Sequence, residues 1–256
     1  MSVADLIARI DTAKSDHQRA SDLIAEARER LKSPQPLPKN SKEEIELKEI
    51  LEKYQVQGDE ISNWSRLIGR DLTVTEVKAL GNLEVQDLIQ FHHIQEKAVE
   101  ESVRQFPSED VPDYVPGDRG VAWLTNDGHR DAFRHTYWNS LMTHEFGEPW
   151  TSEYATAHEA VPDEGNYADR EAMDLYNNEV GRRIAVENPD ASPEELANLV
   201  RQALDDGELI VIDRDGDLAW SNDEKVPPGQ HGLANDQPRS GGQPLPQVDG
   251  ETFTES

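Results

Sequence analysis

The chain has 256 residues, enough for one or two domains with a real core. Acidic side chains number 52 against 25 basic ones, a net charge of -27, so nonspecific binding to phosphate backbones or anionic lipid surfaces is disfavoured. The absence of cysteine excludes disulfides, thiolate metal sites and thiol nucleophiles, and a hydrophobic share of only 35% predicts one folded unit with solvated extensions.

Met1 to Arg9 carry no basic segment followed by an apolar one, and no apolar run approaches membrane-spanning length. The expected setting is a bacterial cytoplasm, or export without a classical signal peptide.

Leu6, Ile10, Ala13, His17, Ala20, Ile24, Ala27 and Leu31 alternate four- and three-residue steps, a heptad seam interrupted by His17. Prolines at 34, 36 and 38 break it, and Ser41 with Glu44 forms a capping box for a second helix. The candidate seam of that helix is Ile50, Tyr54, Ile61, Trp64 and Ile68, giving an antiparallel hairpin over residues 1–70. Such a hairpin suits docking to a protein partner or a secretion-type module, and equally a scaffold that packs on the rest of the chain.

Thr73 with Glu76 opens a short helix that Gly81 ends, and a longer helix is expected over 83–105. It carries His92 and His93, whose side chains point about 100° apart and cannot chelate together. Residues 107–120 read as a loop. Ser192, Pro193 and Glu195 make a complete helix start, with the helix running to about Asp205 and stopping at Gly207. Residues 209–212 and 218–220 flank Asp215-Gly216 as a β-hairpin. Asp213, Asp215, Asp217 and Glu224 match four ligand positions of a calcium loop, but Leu218 stands at the required glycine and a strand precedes it, so a hairpin turn explains them better. Composition predicts a disordered tail over 222–256. The expected fold is mainly α: the hairpin, a helical domain over 71–221 with a small β-hairpin, and the tail.

The chemistry-bearing residues lie between Asp131 and Asn178. On a helix opening near Asp127 or Gly128, the residues Phe133, Tyr137, Trp138, Leu141 and Met142 sweep out an apolar face, and Asp131, Arg134 and His135 fall on or beside it. Burying such groups is costly unless they are paired, hydrogen-bonded or metal-bound. Asp131 and His135, one turn apart, can share one ion, while an internal Asp131–Arg134 pair is the structural alternative. A second helix, from Pro149 to Ala160, places His158 at the edge of its apolar side and Glu159 about 100° away. A third, from about Asp169 to Asn188, buries Met173, Tyr176, Val180 and Ile184. Asn177 lies inside that stripe, Asp174 and Asn178 lie along its flank, and Gly181 permits a close helix approach. His129, His144 and His231 read as loop or helix-exterior residues.

The blocks Asp131 to Asn139, Ala157-His158-Glu159 and Met173 to Gly181 resemble a bacterial domain family of unknown function found in wall-associated, secreted and toxin-like proteins. The resemblance spans about 83–185 and implies no particular reaction. The residues themselves suggest a metal-dependent hydrolase, with a phosphoester-type substrate favoured. Asp131, His135, His158 and Asp174 would be ligands for zinc, manganese or magnesium, and Glu159 the general base. Arg134 would stabilise an anionic substrate, and Asn139, Asn177 and Asn178 would orient substrate or support the ligands. The competing expectation is a noncatalytic acidic binding protein whose buried polar network only specifies packing.

Overall fold

Helices dominate the computed structural model, which describes residues 40–65, 71–107, 110–162, 167–235 and 242–248. The heptad segment from Leu6 to Leu31, the proline-rich break and Ile68 lie outside the described residues, as do the side chains of Ser41 and Glu44. The chain divides into two units, 1–46 and 47–256.

In chain order the elements are α1 (Asn40–Lys53), α2 (Val74–Gly81), α3 (Val85–Gln105), a 3-10 turn (Gly117–Arg119), α4 (Gly120–Thr125) and α5 (His129–Phe146). They are followed by α6 (Glu148–Glu159), α7 (Ala168–Glu187), α8 (Pro193–Asp205), β1 (Ile210–Ile212) and β2 (Leu218–Trp220). Local signals account for some of these boundaries. Thr73 and Ser192 each accept a hydrogen bond from the N–H three residues on, and Glu76 and Glu195 each accept one back, so both capping boxes form. Residues β1 and β2 pair antiparallel, with Val211 opposite Ala219. Asp213 Oδ1 accepts the N–H groups of Asp215 and Asp217, so the acidic run organises the hairpin turn.

One expected helix ends early. The seam proposed through Tyr54, Ile61 and Trp64 does not form, because α1 stops at Lys53 and leaves Ile61 and Trp64 about 40% exposed. Val56 and Gly58 are poor helix formers, and the backbone finds other partners. Val56 N–H donates to Glu171, Asp59 N–H to the Ala160 carbonyl, and Ile61 bridges Thr73.

Helices α5 and α7 form the centre of the domain. An ideal Cβ on Gly181 of α7 would stand 2.2 Å from the Thr136 carbonyl oxygen of α5, so only glycine allows this approach. Phe133, Met142, Tyr154, Met173 and Leu196 are fully buried around the contact, and Phe91 of α3 meets Tyr154 edge-on at 5.0 Å. His92 and His93 point outward from α3.

The expected disordered tail is instead packed where it is described. Val226, His231 and Ala234 are buried. Gly232 N–H donates to the Ile212 carbonyl, and Gln243 pairs with Gln55 and Gln57. Its backbone finds hydrogen bonds that its composition does not advertise. No helix among the described residues is long and apolar enough to cross a membrane.

Candidate metal centre

The first two turns of α5 carry Asp131, Arg134 and His135 toward α6 and α7, where Glu159 and Asp174 meet them. Asp131, His135, Glu159 and Asp174 are all buried, whereas the Arg134 side chain keeps 28% of its surface exposed. His135 Nε2 lies 3.6 Å from Asp131 Oδ1 and 3.5 Å from Asp174 Oδ1, and its Nδ1 lies 3.5 Å from Glu159 Oε1. Arg134 Nη2 donates to Asp131 Oδ1 and stands 2.9 Å from His135 Nε2. A guanidinium can only donate, so Nε2 must accept and the imidazole proton sits on Nδ1, facing Glu159.

The charges are out of balance. Burial, reinforced by Glu159 and Asp131, pushes the Asp174 carboxyl well above the ordinary range, and burial also pushes Glu159 up. Burial opposes ionisation of Asp131 as well, but Arg134, His135 and the Asp127 N–H outweigh it and hold the carboxyl low. Burial and the neighbouring Arg134 bring His135 down to about 3, so the ring is neutral at ordinary pH and its Nε2 keeps a lone pair for a ligand bond. Three buried carboxyls thus face one guanidinium.

A divalent ion fits this imbalance. Asp131, His135 and Asp174 each offer a ligand atom, all within 4.8 Å of one another, and Asp174 Oδ1 has no hydrogen-bond partner among the described residues. Two carboxylates and an imidazole suit zinc, manganese or magnesium. Glu159 stands where the outer carboxylate of a carboxylate–histidine–metal arrangement stands. A relay of amides holds it: Arg182 donates to Asn139, Asn139 to Asn178 at 2.6 Å, and Asn178 to Glu159 at 3.1 Å.

Two residues expected at the site lie elsewhere. His158 Nδ1 is 2.8 Å from Glu76 Oε1 of α2, which also accepts the Tyr154 hydroxyl. His158 and Glu159 are adjacent, and the helical step of about 100° sends the two to different neighbours. Asn177 exchanges two 2.9 Å hydrogen bonds with the backbone of Ile210, so it fastens α7 to β1. Asn139 and Asn178 do support the cluster.

Sequence reasoning missed a second polar layer beneath it. Asp127, at a φ of 71°, donates its N–H to Asp131 Oδ2. Its carboxylate accepts two hydrogen bonds from Arg170 and the N–H of Ala234. Arg170 was discoverable as a cation in the first turn of a helix, where the dipole disfavours it without a partner. His129 and His231, expected outside, are 2% and 7% exposed: His129 Nε2 bonds the Ser221 carbonyl, and His231 stacks on Trp123.

No curated protein and no solved structure matches the chain. Residues 79–208, which hold the cluster and its amide relay, match the model of the family described as Domain of unknown function (DUF6973), and the chain belongs to that family.

Proposed function

We propose that the protein is a divalent-metal-dependent hydrolase whose ion is held by Asp131, His135 and Asp174. The observation that carries this reading is the convergence of three buried ligand atoms within 4.8 Å, drawn from two helices that glycine brings together. Such an ion supplies Lewis acidity and lowers the pKa of water bound to it. Arg134, the partly exposed member, would meet an anionic substrate of the phosphoester type. Glu159 is a positioning residue in this scheme and not the base, because it approaches the ring nitrogen of His135 opposite the other two carboxylates. Asn178 and Asn139 hold Glu159 in turn. The setting we propose is that of an exported effector or toxin-like protein, on the strength of the three sequence blocks.

Hydrolysis of a chromogenic phosphoester, with zinc, manganese or magnesium and then with chelator, tests the activity. Turnover should require metal and vanish in a folded Asp174→Asn variant. Turnover undiminished by chelator or by that substitution contradicts the reading.

One observation favours a noncatalytic alternative. Arg134 already bonds Asp131 and approaches His135, so part of the cluster is balanced without an ion. In that case the network specifies packing, and added metal leaves stability unchanged.

A further inference from the structure

A separate pocket of about 250 Å³ opens between the carboxyl end of α3, the amino end of α5, α8 and the 228–231 segment. Phe106, Trp123, His129, Arg130, Arg201 and His231 form its chemically distinctive walls. Among the described residues that line it, none is Asp or Glu, in a chain where acidic side chains outnumber basic ones by 52 to 25. Both arginines therefore line a wall that holds no carboxylate among the described residues, with Asp205 paired to Arg201 and Asp131 acting on Arg130 from outside it.

The walls are preorganised. Arg201 sits 4.9 Å over the Phe106 ring, with Nε shared between the Asp205 oxygens at 3.0 Å and Nη1 3.5 Å from Gln105 Oε1. Trp123 and His231 stack at 4.5 Å with an interplanar angle of 4°, locked by Trp123 Nε1 donating to the His231 carbonyl. Gly128 precedes α5 without a side-chain cap, and the first turn of that helix also carries Asp131. His129, 2% exposed, gives its Nε2 proton to the Ser221 carbonyl and leaves Nδ1 as an acceptor with no partner.

We propose that this pocket binds a small organic anion built on a planar ring, with its phosphate or carboxylate group taken by Arg130 and Arg201 and its ring lying against Phe106 and Trp123. A guanidinium fork matches either oxyanion, and flat aromatic walls favour a flat ligand. The cavity volume limits the ligand to roughly a single ring with its anionic group. This site does not rest on the metal reading, since none of its walls belongs to the cluster.

The test is titration of the full chain with phenyl phosphate in chelator, which removes any contribution from bound metal, followed by NMR. Saturable binding with shifts at Trp123, His129 and His231 is expected. Inorganic phosphate and benzyl alcohol should each bind at least about tenfold more weakly, as should phenyl phosphate with Arg130→Gln or Arg201→Gln. A tenfold loss corresponds to about 1.4 kcal/mol. Benzoate decides the oxyanion: comparable binding extends the site to carboxylates, and markedly weaker binding restricts it to phosphates. No saturation in the millimolar range, a footprint elsewhere on the chain, or ring-free phosphate binding equally well would overturn the proposal. If a variant fails to fold, the wild-type footprint and the ligand comparison still decide it.

Discussion

Arg134 Nη2 stands 2.9 Å from His135 Nε2 while also donating to Asp131, so a guanidinium occupies the two atoms that a metal ion would take. Guanidinium and ion therefore compete for the same ligands. Truncating one partner of a buried pair strands the other charge, at about 3–5 kcal/mol for full burial. Arg134 is partly exposed, so Arg134→Met should cost less, about 2–3 kcal/mol in chelator. A divalent ion should recover much of that loss, because it neutralises the carboxylate left behind. Denaturant unfolding with and without metal checks this, and equal losses in both conditions contradict the competition.

Phe133 and His135 sit two residues apart on α5, and both are buried. Phe133→Ala should destabilise by about 3–5 kcal/mol whether or not metal is present, because it leaves a cavity. His135→Ala removes the acceptor of one Arg134 N–H, which still has Asp131, so in chelator it should cost about 1–2 kcal/mol, well short of the Phe133 loss. It should also abolish any stabilisation by metal. Unfolding curves that show the two variants equally damaged in chelator would mean that His135 is a structural strut.

Gly181→Ala should destabilise by about 1–3 kcal/mol, since a methyl group there would overlap the Thr136 carbonyl. The backbones must separate, which also pulls Asp174 away from His135. Weaker metal stabilisation should accompany the lower melting temperature. A variant as stable as the parent would show that the helices do not meet this closely.

Asp169, in the first turn of α7, is raised to about 6, by burial and then by Asp217 nearby. Between about pH 4 and pH 6 the native state holds this proton while the unfolded chain releases it, so stability from this group falls as pH rises. Below that window nothing is lost, and above it the full penalty remains. Asp169→Asn should thus gain little near pH 4 and progressively more up to pH 7. Parallel stability profiles for variant and parent would refute the assignment.

The polar residues of α5 were legible because Phe133, Tyr137, Leu141 and Met142 recur at helical spacing, which fixes the buried face and puts Asp131 and His135 beside it. Three- and four-residue periodicity does not reveal which neighbour a face will meet. His158 was misassigned for that reason: its partner Glu76 lies 82 residues earlier, on a helix whose placement no local pattern records. Asn177 shows the same limit, since its amide is matched to a strand 33 residues later. Caps were read correctly at Thr73 and Ser192 because they involve residues only three apart. The tail misled because proline, glycine and glutamine signal disorder on average. Two backbone N–H groups, Gly232 donating to the Ile212 carbonyl and Ala234 to the Asp127 carboxylate, together with buried Val226 and His231, anchor its described part. The pocket at Arg130 and Arg201 was out of reach for the same reason, as its walls come from five separated segments.

The central claim is that Asp131, His135 and Asp174 bind a divalent ion, and thermal unfolding during metal titration tests it most directly. Zinc, manganese and magnesium should be added in turn to chelator-stripped wild type, His135→Ala and Asp174→Asn. Binding to the native state alone stabilises by about 2.7 kcal/mol at a hundred times the dissociation constant. The account predicts a saturable rise in melting temperature with at least one of these ions in the wild type, absent from both variants. A flat melting temperature for all three ions, or an undiminished rise in the two variants, would contradict it.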